Sequence, residues 1–303
     1  MKPFSILGIE YELGENKIDI KNIFEKPERI IERTGIECVY ETNKNAEDLA
    51  LKAANKLLNK IGVLPDVLIY VTQSQKYVLP GSGVLVHDEL KLNKNCLVFD
   101  INAGCSGFVQ ALILATNMID SFKNILIICA DRYRSKLDIN DRSTRAVFSD
   151  GASAILISSN PKIKISFLKN QTAGNLHHML VQHKVDQDNE GKLKMSGREL
   201  WNFTRENIVP DINEALTFFE KNKIICENIF IHQASKVVVD GIEKDLLTNA
   251  PKLHRNYHNR GNTVSSTIPI LIKDSLVDLN NKNSILSGFG VGLLSYTLGI
   301  EKI

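Results

Sequence analysis

The chain has 303 residues, 43% of them hydrophobic and 24% charged, with a formal net charge of +2, so it has the make-up of a globular protein with material for a large core. A charge this close to neutral offers no electrostatic case for nucleic acid. The longest apolar runs, NILIICA and SAILIS among them, fall far short of the roughly 20 residues that a membrane span needs. The opening MKPFSILGIEYELGE lacks the layout of a signal peptide, so a cytoplasmic location is expected. Five cysteines, Cys38, Cys96, Cys105, Cys129 and Cys226, are odd in number and lack a CxxC pair, which argues against a disulfide framework or a zinc site. His254 and His258 lie in loop-like HRNYHNRGN and not on a metal-binding helix, so no metal is expected.

In chain order, AEDLALKAANKLLNKIG has helical periodicity and leads into the strand-like DVLIYVTQ. Cys96 to Phe99 reads as a buried strand and Asn102 to Gly107 as a tight turn. Phe108, Ala111, Leu112, Ala115 and Ile119 then recur at helical spacing. The strands NILIICAD and ASAILIS follow. Residues 169–195 are polar and poorly periodic and read as an exposed excursion, either a solvated loop or a wall of a substrate tunnel. The same order then recurs: helix-like NIVPDINEALTFFEKNK, strand NIFIHQAS ending in His232, a turn and helix at Asn262, and the strands NSILSGFG and LLSYTLGI. This is an internal repeat of roughly 150 residues in the order of elements. It predicts a layered α/β fold of two halves, 1–160 carrying Cys105 and 161–303 carrying His232 and Asn262. Packing about a pseudo-twofold axis would bring the Cys105 turn, the Asn262 turn and His232 together.

Cys105 opens a helix, where unpaired N–H groups and the helix dipole favour an anion, so a lowered thiol pKa is expected. The bland alternatives are a small core residue for Cys105, a satisfied buried imidazole for His232 and a helix N-cap for Asn262. Gly288, Gly290 and Gly292 form a turn between apolar strands. Their spacing is not that of a phosphate-cradling GxGxxG before a helix, which argues against a dinucleotide fold. Cysteine, histidine and asparagine also occur in this chain order in papain-like hydrolases. Here the cysteine is central and lacks the CGSCW context.

Seven segments, in order, resemble the 3-oxoacyl-acyl carrier protein synthase III family of the thiolase superfamily. They are ERTGIE, FDINAGCSGF, FSDGASA, MSGRELW, IHQAS, RGNTVSSTIP and GFGVGLL, spread over almost the whole chain. The resemblance implies a duplicated, layered αβαβα thiolase-like fold and an acyltransferase of fatty acid or specialised acyl-chain biosynthesis. Cys105 would accept the acyl group of an acyl-coenzyme A or acyl-carrier primer, and His232 with Asn262 would promote decarboxylation of malonyl-acyl carrier protein. It further implies an oxyanion hole from the backbone N–H groups of Cys105 and Val291, and substrate contacts at Arg33, Arg142, Gly197, Trp201, Ala234 and Lys236. No tightly bound cofactor is implied, coenzyme A entering as a thioester substrate. A homodimer is implied, with Lys76 to Leu90 near the partner and Val84, Leu85 and Leu200 setting pocket depth.

Three positions depart from the family pattern. Arg29 stands where a tryptophan commonly stacks on adenine, and Val237, beside Lys236, stands where an arginine docks the carrier. Val291 replaces the middle glycine of the C-terminal turn, where a backbone donor survives only without positive φ. These departures leave open a related enzyme that passes the acyl group to a non-malonyl acceptor. A non-catalytic partner of the same fold is disfavoured by the retained Cys105, His232 and Asn262.

Overall fold

The strand Val67–Val71 is buried at every residue, the mark of a parallel strand covered on both faces. The computed structural model describes residues 1–185, 191–248 and 250–303. Its strands are, in chain order, β1 (Phe4–Leu13), β2 (Asn16–Asp19), β3 (Cys38–Glu41), β4 (Val67–Val71), β5 (Leu97–Ile101), β6 (Asn124–Asp131) and β7 (Gly151–Thr172). There follow β8 (Leu180–Gln182), β9 (Leu193–Met195), β10 (Asn228–Ile231), β11 (Lys252–Leu253), β12 (Ser284–Gly290) and β13 (Leu294–Lys302). Among the described residues nine of them join in the order β11-β10-β12-β13-β7-β6-β4-β5, with β1 also paired to β7.

The pairing reads the same from either end. On each side of the antiparallel β7–β13 junction come one antiparallel and two parallel pairs. The repeat in the sequence is therefore a repeat in the sheet. β7 is long enough to serve both halves: it pairs with β6 as far as Ser158 and with β13 from Ile163 onward.

Two apolar helices, Gly107–Met118 and Thr267–Asp274, form the central layer. Phe108, Leu112 and Ala115 of the first and Ile268 and Leu271 of the second share one core with Val67, Ile69, Ile127, Phe230 and Leu286. Helix Ala46–Ile61 covers the other face of β4 and β6, and helix Val209–Lys221 that of β10 and β12. The result is the five-layered αβαβα order.

Two expectations need correction. The strand near Cys96 is not buried but forms the edge of the sheet, with Leu97 and Phe99 exposed at 42% and 45%. An apolar run cannot by itself tell a covered strand from an edge awaiting a partner. Residues 169–195 do not form a solvated loop either. Lys169–Thr172 complete β7, and β8 and β9 make an antiparallel ribbon whose Leu180 and Leu193 are buried against Cys105. Residues 186–190 of that stretch lie outside the described residues.

The halves are stitched where their turns meet. The backbone N–H of Asn262 donates to Val147 O (2.8 Å), and that of Ser149 donates to Asn262 O (2.9 Å). Ser265 Oγ donates to Asp131 Oδ2 (2.6 Å) and Ser266 Oγ to Cys129 O (2.9 Å), both on β6.

Candidate active site

Cys105 lies between the end of β5 and helix Gly107–Met118, in a turn closed by the Gly107 N–H on Gly104 O (2.7 Å). It is 3% exposed. β12 runs close against it because two positions lack a side chain. A Cβ on Gly290 would stand 2.8 Å from Cys105 Cβ and 3.2 Å from Sγ, and one on Gly288 would stand 3.1 Å from Ser106 Cα.

The expected lowering of the thiol pKa is reversed. Cys105 lies two residues before the helix proper, fully enclosed, and burial with the nearby Asp131 carboxylate pushes the thiol well above its ordinary value. Desolvation of the thiolate outweighs the helix dipole at this depth. The Cys105 side chain is therefore a thiol at rest.

His232 follows β10, its N–H bonded to Ser287 O (2.9 Å) and its ring edge-on to Phe289 at 5.5 Å. Burial lowers its pKa from 6.5 to about 3, so the imidazole is neutral in any ordinary buffer. Nδ1 meets Thr267 Oγ1 at 2.7 Å, and that hydroxyl also reaches Val264 O at 3.0 Å. Val264 O already accepts the Thr267 backbone N–H. The hydroxyl proton can therefore turn to Nδ1 without orphaning the carbonyl, and this setting leaves a hydrogen on Nε2.

Asn262 Oδ1 accepts from the Val264 N–H (2.9 Å) across the turn before the short helix Val264–Ser266, whose N-cap is Thr263 and not Asn262, and its amide NH₂ is left for the cavity. Val264 holds φ at +57°, a conformation that is strained for a β-branched residue. The turn thus keeps a local strain at the point where Asn262 is aimed.

Cys105, His232 and Asn262 line one cavity of about 510 Å³. Gly197, Trp201 and Ala234 line it too, with Leu200 in its wall. At its mouth stand three exposed guanidinium groups: Arg29 and Arg33, one turn apart on helix Pro27–Thr34, and Arg142 at the start of Arg142–Arg145. Lys236 is not among the lining residues. It is exposed at the start of helix Lys236–Asp245 with its stem against Gly35, while Val237 takes the place at the cavity. Val84 and Leu85 are likewise absent from the lining. Val291 has no positive φ and packs in the cluster around Cys105, its side chain facing a second cavity.

Sequence reasoning missed Asp131 and Thr267. Asp131 was visible only as a carboxylate ending the apolar run NILIICAD, and Thr267 as one hydroxyl among Ser265, Ser266 and Thr267. Asp131 is fully buried, accepts from Gln73 N–H (2.8 Å) and the Ser265 hydroxyl, and has its pKa raised from 3.8 to about 6 by burial. Between those pH values the native state holds a proton that the unfolded chain releases, so Asp131 lowers stability as pH rises. His232 acts oppositely, with stability lost as pH falls from 6.5 toward 3.

Asp131→Asn is expected to raise the rate of Cys105 alkylation by iodoacetamide at pH 8 by about tenfold, one pKa unit of extra thiolate. Its urea-measured stability should climb more steeply with pH between about 4 and 6 than that of the native protein. Unchanged alkylation would remove Asp131 from control of the thiol.

A family model described as 3-oxoacyl-[acyl-carrier-protein (ACP)] synthase III matches residues 99–174, and its C-terminal counterpart matches residues 226–300. A beta-ketoacyl-[acyl-carrier-protein] synthase III from Clostridium perfringens (strain SM101 / Type A) is 32% identical, with 97% of each chain covered. One from Lactococcus lactis subsp. cremoris (strain MG1363) is 32% identical over 88% of each chain. Among solved structures, the 3-oxoacyl-[acyl-carrier-protein] synthase III from Aquifex aeolicus VF5 is 27% identical and superposes with a TM-score of 0.84, covering 98% of this chain and 99% of that one. The motifs, the duplicated sheet and these relatives agree: the chain belongs to the 3-oxoacyl-acyl carrier protein synthase III family.

Proposed function

We propose that the protein is a condensing acyltransferase in which Cys105 takes an acyl group from a thioester and the acyl-enzyme condenses with malonyl-acyl carrier protein. The observation that carries this reading is the meeting of Cys105, His232 and Asn262 in one cavity with three arginines at its mouth. Guanidinium groups there suit the phosphates of coenzyme A or of a carrier-borne pantetheine arm. The apolar shaft below suits the arm itself.

In the first half-reaction Cys105 Sγ adds to the thioester carbonyl, the donor's C–S bond breaks, and the donor leaves as a thiol with the cysteine proton. The tetrahedral oxygen would be held by the backbone N–H groups of Cys105 and Val291, a reading supported by the absence of positive φ at Val291. In the second, loss of carbon dioxide from the malonyl group places negative charge on its thioester oxygen. His232 Nε2–H and the Asn262 amide are the neutral donors for that charge. The enolate carbon then attacks the acyl-cysteine carbonyl and the C–S bond to Cys105 breaks, restoring the thiol. Burial keeps the resting imidazole neutral, which supports stabilisation by hydrogen bonding from an uncharged ring.

We further propose that two copies pair through the β5 edge. Leu97 and Phe99 are exposed along it, and Val78 and Leu79 of the Lys76 to Leu90 stretch are 93% and 85% exposed. An apolar, unpartnered edge strand is a template for a second chain. The division at residue 160 is our reading of the duplication, supported by the mirrored pairing about β7.

Intact-mass analysis and carbon dioxide release test the roles separately. Cys105→Ala should take no acyl label and form no condensation product. His232→Ala and Asn262→Ala should still be labelled but lose malonyl decarboxylation by about a hundredfold or more. Acyl label discharged to another nucleophile without carbon dioxide release would favour the non-malonyl acceptor instead.

Thr267→Val should keep Cys105 labelling and lose decarboxylation by about tenfold, with Thr267→Ser restoring it, because only a hydroxyl can give Nδ1 a proton. Full decarboxylation in Thr267→Val would show that this contact does not set the imidazole.

A further inference from the structure

Behind the site, one carboxylate ties together the two turns that carry His232 and Asn262. Asp274 is the last residue of helix Thr267–Asp274, the end at which the helix dipole disfavours a negative charge. Hydrogen bonds on both of its oxygens hold it there. Oδ1 accepts from the Tyr11 hydroxyl (2.8 Å) and from Arg260 Nη2 (3.4 Å), and Oδ2 accepts from Arg260 Nε (2.9 Å) and from the Asn256 side-chain amide (3.0 Å). Arg260 Nη2 also donates to the Tyr11 hydroxyl oxygen (3.2 Å). The Arg260 and Asp274 side chains are only 23% and 20% exposed, so this two-point ion pair is shielded as an ordinary surface pair is not.

Each partner of Asp274 leads to one of the turns. Arg260 lies two residues before Asn262 with only Gly261 between them, and Gly261 has a φ of +64°, a conformation open to glycine at little cost. Fixing Arg260 limits how that pivot can swing. On the other side the Asn256 backbone N–H donates to Gln233 Oε1 (3.1 Å), and Gln233 Nε2 donates to Ile231 O (3.0 Å) and His254 O (3.4 Å). Gln233 is fully buried and follows His232 directly. The helix itself is the remaining link: it is roughly 12 Å long at 1.5 Å per residue, and its first residue, Thr267, carries the hydroxyl that faces His232 Nδ1. Asp274 thus connects to His232 through Asn256 and through the helix, and to Asn262 through Arg260.

Tyr11, Gln233, Asn256, Arg260 and Asp274 do not line the cavity of Cys105, so none of them is placed to touch a substrate there. We infer that Asp274 is a positioning residue for decarboxylation: its hydrogen bonds to Arg260 and Asn256 fix the separation of His232 and Asn262 and leave Cys105 unaffected. This rests on the proposed role of His232 and Asn262 as paired donors to one enolate oxygen. Two donors that converge on one atom must be spaced correctly relative to each other, which a thiol attacking alone does not require. Asparagine at position 274 would replace one acceptor oxygen with an NH₂ group and set it against the donors of Arg260, Asn256 or Tyr11.

The test sets carbon dioxide release from saturating malonyl-acyl carrier protein beside the rate of Cys105 alkylation by iodoacetamide. Asp274→Asn and Arg260→Gln should each lose about tenfold in decarboxylation, less than the roughly hundredfold that a full 1 Å misplacement costs, with alkylation within about twofold of native. Because both residues act through one contact, the double variant should lose little more than either single one. Arg255→Gln breaks the neighbouring ion pairs of Arg255 with Glu243 and Asp240 and should decarboxylate at the native rate. Equal losses of decarboxylation and alkylation in Asp274→Asn would mean a general loosening and overturn the inference. Losses that multiply in the double variant, or a comparable loss in Arg255→Gln, would overturn it too. Native protein that decarboxylates while Asp274→Asn does so equally fast sinks this inference alone, whereas native protein that releases no carbon dioxide sinks the condensing reading together with it.

Discussion

Exclusion of water from three ionisable groups at the join of the two halves is the constraint on which the site depends. Cys105, His232 and Asp131 are 3%, 2% and 0% exposed, and burial drives each toward its neutral form. For His232 that produces an uncharged donor, the form suited to an enolate. For Cys105 it produces a protonated thiol at rest, which under the proposed function becomes a nucleophile only when a thioester is in place. Asp131 is held in spite of its desolvation by the Gln73 N–H and the Ser265 hydroxyl, and the second of these ties β6 to the turn that carries Asn262.

The duplicated fold is what makes such burial achievable. The two halves of the sheet share a middle layer of two helices, and each helix is preceded by a turn that ends near the same point. Gly288 and Gly290 bring β12 within contact of Cys105, so the thiol is enclosed by backbone as much as by side chains. The strained φ of Val264 and the Asn262 Oδ1 to Val264 N–H bond lie in the opposing turn. The site therefore rests on rigid elements, as preorganised hydrogen-bond donors require.

Elements whose burial is decided locally were readable from the chain. Ala46–Ile61 shows its helical stripe, Val67–Val71 its apolar run, and Cys105, His232 and Asn262 their places at strand ends and turns. What was not readable depends on distant residues. The thiol pKa has the opposite sign because the helix dipole was visible in sequence while the enclosure by β12 and Asp131 was not. β5 looks buried in sequence because its apolar residues suit either a core or an interface. Leu180 and Leu193 sit in a polar stretch whose average hides two apolar residues aimed at Cys105. Lys236 and Val237 are adjacent in sequence, and only the helix start decides which of them meets the cavity.

The measurement that bears most directly on the neutral-donor account is the ¹⁵N and ¹³C NMR signature of the His232 ring across pH 5 to 8. The account predicts an imidazole that does not titrate in that range, with hydrogen on Nε2 and a bare Nδ1 facing Thr267. A midpoint between pH 6 and 7, or a hydrogen on Nδ1 with a bare Nε2 toward the cavity, would contradict it.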